Sequence, residues 1–361
     1  MSSIHIKNAR IINESRDFRG DILVKDEYIV AVGNTDSVVI PEDALVINAD
    51  NLILIPGVID DHVHFRDPGL THKGDMHSES AAAVAGGVTS FMDMPNTKPQ
   101  TTTISHLEDK FRKASEQSFA NYSFYLGATN NNIDEIMNAD PAQVCGIKLF
   151  MGSSTGNMLV DEESALRELF ARATIPVAAH CEDESIIKKN SDIYRKKYGE
   201  NVPAGMHPMI RTREACYTSS FHAVNLAREY NTRLHILHLS TADELKLFRN
   251  DLPLEEKRIT AEVCVHHLWF EESAYDTLGT LVKWNPAVKT PYDRAALQKA
   301  INNNTIDVIA TDHAPHTFQE KKHTYFKAPS GGPFIQHSLQ VMLELWHKKI
   351  ISIEKIVELM C

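Results

Sequence analysis

The pattern of apolar and polar positions changes character once along this chain. Up to about residue 55 the apolar residues alternate with polar ones in short stretches, "SIHIKNARII", "GDILVKDEYIVAVG" and "ALVINAD". Period-two alternation broken by polar turns predicts strands of a small β domain over residues 1–55. From residue 52 short runs rich in Val, Ile and Phe alternate with helical stretches. Eight such runs stand out: Leu52–Phe65, Val88–Met94, Ser123–Ala128, Gly146–Phe150, Pro176–His180, Arg233–Leu239, Ile259–His266 and Ile306–Asp312. Segments such as "TISHLEDKFRKASEQ", "EESALRELFARA" and "TREACYTSSFHAVNLAREY" read as the helices between them. This alternation predicts an α/β fold, a TIM-like (β/α)8 barrel over residues 56–361, whose active site would lie at the C-terminal ends of the strands.

Those ends are where the costly polar groups gather. The first run closes on "GVIDDHVHFRDPG", with His62, His64 and Arg66 at alternate positions; the second leads to Asn96 and the fourth carries Lys148. The fifth ends in His180, the sixth in His238, and the eighth in Asp312 with His316 beyond it. In a strand, residues two apart face the same way, so His62 and His64 point together into the barrel mouth, as a metal chelate requires. One such pair is a weak sign, since two polar residues at a strand end can simply bond to loops. Imidazoles and a carboxylate on several turns of one barrel mouth are much harder to explain that way.

Four histidines and one aspartate fill most positions around two metals but lack a bridging anion. Residues 141–160 contain no Asp or Glu, only Lys148 in "CGIKLF". A buried ammonium beside metal ions would be repelled. Its neutral amine can instead add carbon dioxide, and the carbamate would supply the bridge. The bland alternative is a strand lysine snorkelling to water. His235, three before His238, is expected on the opposite strand face. His266 either lines the pocket or packs behind it, and His267 is out of phase with it.

Composition removes other classes. The net charge is −11 with no basic stripe, which argues against nucleic acid. An anionic substrate would need local cations to draw it in. The apolar stretches are too short to span a bilayer, and the first residues carry no signal-peptide core. Five scattered cysteines without a CxxC pair fit reduced thiols in a cytoplasmic protein.

"DDHVHFRDPG", "DMPNTKP", "GIKLF", "AAHCED", "LHILHLS", "KWNPAVKTP" and "ATDHAPHT", in that order, resemble the dihydroorotases of the amidohydrolase superfamily. The resemblance runs from the first strands to about Gly332. It implies a binuclear zinc centre, two ions per chain, and reversible cyclisation of N-carbamoyl-L-aspartate to L-dihydroorotate in pyrimidine synthesis. By resemblance His62, His64 and Asp312 hold one zinc, His180 and His238 the other, and carbamylated Lys148 bridges them. Asp312 is then the catalytic acid and base. Arg66, Asn96, Asn285 and His316 match substrate positions, as do Gly332 and Pro333 of "SGGP". Many bacterial relatives carry aspartate-rich text where this chain reads "MGSSTGNM", which favours the carbamate pattern. Relatives also continue past "IVELMC" into strands that complete the small domain, so residues 1–55 are expected to form it only in part. A sister cyclic amidohydrolase (allantoinase, hydantoinase or dihydropyrimidinase) is the nearest rival, and a non-catalytic dihydroorotase-like subunit the more distant one. The expected partner is a small molecule; a homodimer is compatible with the sequence, which does not fix the oligomeric state.

Overall fold

The computed structural model describes residues 3–33, 39–152 and 158–361. Part of the segment compared above with aspartate-rich text, residues 153–157, lies outside the described residues.

The N-terminal strands are β1 (Ser3–Asn13), β2 (Arg16–Lys25), β3 (Tyr28–Gly33), β4 (Leu45–Asn48) and β5 (Ile53–Leu54). They form one sheet in the order β3-β2-β1-β4, with β5 also on β1. β2 and β3 are a hairpin turning at Asp26, whose positive φ of 55° suits a tight two-residue connection. β1 turns Ala9 and Ile11 toward Ala49 in a small core, whereas Tyr28, Ile29, Leu45 and Val46 are exposed.

The run read as Leu52–Phe65 divides. Ile53 and Leu54 pair with β1, Pro56 and Gly57 interrupt, and β6 (Val58–Val63) begins the barrel. The remaining barrel strands are β7 (Val88–Asp93), β8 (Asn121–Gly127), β9 (Val144–Phe150), β10 (Val177–His180), β11 (Leu234–Ile236), β12 (Ile259–Cys264) and β13 (Val308–Ala310). Each pairs in parallel with its neighbour in chain order. A parallel bridge from Val63 to His313 joins the two ends, so the eight strands form a (β/α)8 barrel. Buried Asp60 strengthens this seam, accepting from the Thr311 hydroxyl at 2.6 Å.

Helices shield the outer faces of the strands. The helix Ile104–Gln117 starts at Thr103, whose hydroxyl accepts from the His106 N–H. Its inward face carries Leu107, Lys110 and Ala114, at helical spacing. Burying a leucine such as Leu107 contributes about 1.5–3 kcal/mol. Lys110 breaks the apolar pattern because its ammonium meets Asp93 at 2.5 Å, with both side chains fully buried. Asp93 also accepts from the Phe65 N–H at 2.8 Å, which fixes the chain one residue before Arg66.

Candidate active site at the barrel mouth

β6 does not alternate cleanly. Its register with β7 slips between Asp60 and Val63, a bulge that lets Asp61 face the barrel floor while His62 reaches the mouth. Three other site residues lie beyond strand ends in left-handed backbone: Arg66 at φ 65°, His238 at φ 41° and Asp312 at φ 46°. Such conformations cost non-glycine residues of order 1 kcal/mol or more and are retained where the surroundings enforce them. Here they turn three side chains into one cavity.

That cavity, about 260 Å³, is lined by His62, His64, Arg66, Asn96, Lys148, Phe150, His180, His238, Asn285, Asp312, Ala314, His316 and residues 329–331. His62 donates Nδ1–H to Glu262 Oε1 at 3.0 Å, and His64 donates Nδ1–H to Asn96 Oδ1 at 2.6 Å. Each ring then turns its Nε2 toward Asp312 Oδ1, at 3.2 and 3.0 Å, presenting a lone pair there when the ring is neutral. Across the mouth, His180 donates Nε2–H to Glu182 at 3.0 Å and turns Nδ1 to His238 Nε2 at 2.8 Å. Lone pairs converging in this way repel each other unless a cation lies between them, so the donor set fits metal ions. His62, His64 and Asp312 form one compact ligand group.

The electrostatics agree. Burial lowers His64 to about 4, against the pull of Asp312, and keeps the ring neutral. Burial, then His180 and His62, push His238 well below the usual histidine range. Burial favours a neutral His62 too, but Glu262 and Asp312 outweigh it and raise its pKa. Burial would raise Asp312; His62 and His64 nevertheless hold it far below the carboxylate range. Lys148 is 1% exposed, and burial brings its amine down to about 8, so a sizeable neutral fraction is present near pH 8.

Burial lowers Arg66 to about 10, partly offset by Asp312 and Asp93, so it stays a cation at neutral pH. Its Nε donates to the Pro315 carbonyl at 3.1 Å. His316 accepts from Lys73 through Nδ1 at 3.1 Å and donates through Nε2 to the Ser330 carbonyl at 2.9 Å. Arg66 Nη2 lies 3.0 Å from that same Nε2, and the guanidinium lines the cavity. Burial and Arg66 hold His316 neutral, its pKa brought down to about 2. Asn285 accepts from the Ser330 hydroxyl at 2.9 Å.

Several expectations need correction. Gly332 and Pro333 do not line the cavity; Pro329, Ser330 and Gly331 do. The Gly332 carbonyl is taken by the Ala314 N–H at 3.0 Å, and Pro333 is exposed. Gly331 has φ 120°, and a Cβ there would sit 2.6 Å from the Ala314 carbonyl, so glycine is required. His266 lies in a short helix, Val265–Trp269, stacked on Trp284 at 4.6 Å behind the mouth. His235 is inside the barrel: β11 ends at Ile236, and the left-handed turn at His238 undoes the expected alternation. There burial opposes a charge on His235, but Asp61 and Glu262 outweigh it and raise its pKa to about 10.

Sequence reasoning passed over the residues behind the ligands. Glu262 receives both His62 Nδ1–H and the His238 N–H, the latter at 2.8 Å. Glu182 is clamped by Arg211 and His180. An acidic residue inside a strand run, or directly after a candidate ligand as in "AHCE", was the available signal.

An amidohydrolase family model matches residues 53–345. The chain belongs to the amidohydrolase family. Within that family it is similar to the dihydroorotase of Methanosarcina acetivorans, 32% identical over 99% of this chain and 77% of the relative. The dihydroorotase of Bacillus subtilis is 34% identical over 90% of this chain and 74% of its own length. Among solved structures, an L-hydantoinase (dihydropyrimidinase) from Arthrobacter aurescens superposes with a TM-score of 0.93, at 26% identity over 99% of this chain and 80% of that one. This amidohydrolase is therefore a hydrolase of cyclic amides. No helix among its described residues is long and apolar enough to cross a membrane.

Proposed function

We propose that this amidohydrolase is a zinc-dependent dihydroorotase, interconverting N-carbamoyl-L-aspartate and L-dihydroorotate in cytoplasmic pyrimidine synthesis. Its barrel, residues 56–361, would carry the chemistry and residues 1–55 the small β domain. The observation that carries this reading is a guanidinium in the cavity: Arg66, buried, charged and part of the pocket wall. Dihydroorotate bears a ring carboxylate that such a group can bind. Hydantoins and dihydrouracil lack it, as does allantoin.

In this reading His62, His64 and Asp312 hold one zinc, and His180 and His238 a second, with carbamylated Lys148 between them. Two zinc ions bound there would polarise the ring amide carbonyl and make water a nucleophile near neutral pH. The side chains do the rest. Asp312 receives the proton of the attacking water and delivers it to the leaving ring nitrogen, and in synthesis it takes that proton back from the ureido nitrogen. Arg66 and Asn96 bind the substrate carboxylate, the Asn96 NH2 donating while its Oδ1 fixes His64. His316 and Asn285 brace the 329–331 wall, where backbone groups of Ser330 and Gly331 replace those expected of Gly332 and Pro333 as ring contacts.

The test is initial-rate hydrolysis by the zinc-loaded protein of dihydroorotate, hydantoin and dihydrouracil side by side. Preference for dihydroorotate supports the proposal. Preference for either uncharged ring would move the chain to the hydantoinases, whose fold it shares.

A further inference from the structure

Below the mouth, at the N-terminal end of the barrel, lies a second cavity of about 230 Å³. Asp61, Tyr125, His235 and Thr260 are among its walls, and Glu262 closes it from above. Asp61, His235 and Glu262 each direct a ligand-type atom to a common centre. We propose that this trio is a separate divalent-cation site at the barrel floor, suited to zinc.

The geometry distinguishes an ion from a plain buried salt bridge. His235 Nδ1 lies 2.7 Å from Thr260 Oγ1, and that hydroxyl faces the Leu234 carbonyl at 3.4 Å. The hydroxyl thus gives its proton to the carbonyl and accepts Nδ1–H. Nε2 is left facing two carboxylates, 3.3 Å from Asp61 Oδ2 and 3.7 Å from Glu262 Oε2, and in the absence of an ion it carries a proton. That proton would pair best in a straight, short bond like the one on Nδ1. No such bond forms: His235 Nε2 and Asp61 Oδ1 are both buried with no hydrogen-bond partner among the described residues. Ligand atoms ~2.0–2.1 Å from a tetrahedral zinc stand ~3.3 Å apart, close to the spacings seen. The Nδ1–Thr260 bond is the kind of outer contact that aims a metal-ligating histidine.

The remaining demands of a metal site are also met. Glu262 Oε1 is engaged by His62, the His238 N–H and the Cys264 thiol, while Oε2, 3.2 Å from His62 Nδ1, also faces the floor. A dication that displaces the His235 proton would be balanced by two carboxylates and bound by the then neutral imidazole. Two of the rim cations are engaged elsewhere, Lys257 with Asp307 at 2.6 Å and Arg258 with the Asn231 carbonyl; Arg233 also borders the cavity. The cavity leaves room for a water as fourth ligand. Glu262 thereby stands between the floor site and the mouth.

The test is diffraction at the zinc absorption edge from crystals of the full chain grown with zinc. An anomalous peak ~2.0–2.2 Å from His235 Nε2 and from an oxygen each of Asp61 and Glu262 is expected. Absence of that peak overturns the proposal, whether or not the mouth fills; an empty mouth with a filled floor counts only against the reading of the mouth. In solution, zinc titration should give about three equivalents per chain, falling to about two in His235→Gln. Should that variant fail to fold, Asp61→Asn replaces it. Equal stoichiometry in wild type and a folded variant would also overturn the site.

Discussion

Asp312 Oδ1 lies 3.0 Å from His64 Nε2, and the histidine's other nitrogen is held by Asn96. The carboxylate and the imidazole lone pair thus face each other because β13 ends at Ala310 and the chain turns left-handed at residue 312. In the proposed reading Asp312 serves as both ligand and proton carrier. Asp312→Asn keeps the shape but removes the basic oxygen. Turnover of dihydroorotate should fall ~10²-fold or more, with the fold unchanged by circular dichroism. Near-wild-type kcat in that variant would remove Asp312 from proton transfer.

Lys148 is expected to carry a carbamate. Lys148→Ala should lose about one zinc per chain and nearly all activity, and short-chain carboxylates should restore part of both. Mass spectrometry under native conditions should show the added carbon dioxide in the wild type and none in the variant. A free amine in fully metallated, active protein contradicts the assignment.

Behind His180, the Glu182 carboxylate is held at about 2, against a usual 4.5; burial opposes this, but Arg211 and His180 outweigh it. A depressed folded pKa means the stabilisation is complete above about pH 4.5 and is lost as pH falls toward about 2. Glu182→Gln leaves Arg211 without its buried partner and should cost roughly 2–4 kcal/mol at neutral pH. The difference from wild type should shrink as pH is lowered through that window. Denaturant melts at pH 7 and pH 3 measure it, and a difference that grows toward acid would refute the sign.

What could be read from the sequence follows from where the chain is regular. Lys148 and His180 lie within strands β9 and β10 and line the mouth, as their positions in the fourth and fifth apolar runs suggested. His235 was misplaced because the strand ends after Ile236 and His238 is re-aimed by its backbone. Gly332 and Pro333 missed the pocket by one or two residues because a carbonyl bond from Ala314, invisible to periodicity, sets that wall. Glu262 and Asp93 escaped notice because an acid buried in a strand declares itself only through partners distant in sequence, His62 and Lys110.

Chelation tests the metal reading as a whole. Removing zinc leaves converging lone pairs and carboxylates without a cation, so the apo protein should melt at a lower temperature and lose all turnover. Zinc with bicarbonate should restore both. Undiminished activity after exhaustive chelation, confirmed by elemental analysis, would contradict the metal assignment.

If the cavity selects a cyclic amide bearing a carboxylate, Arg66 is the residue that reads that group. The decisive measurement is kcat/KM of wild type and Arg66→Met on dihydroorotate and on dihydrouracil. Removing the guanidinium should cost roughly 30- to 10³-fold on dihydroorotate, mostly through KM. Any slow hydrolysis of uncharged dihydrouracil should be nearly unchanged. Equal losses on both substrates would mean that Arg66 supports the site without reading the carboxylate, and the hydantoinase reading would stand in its place.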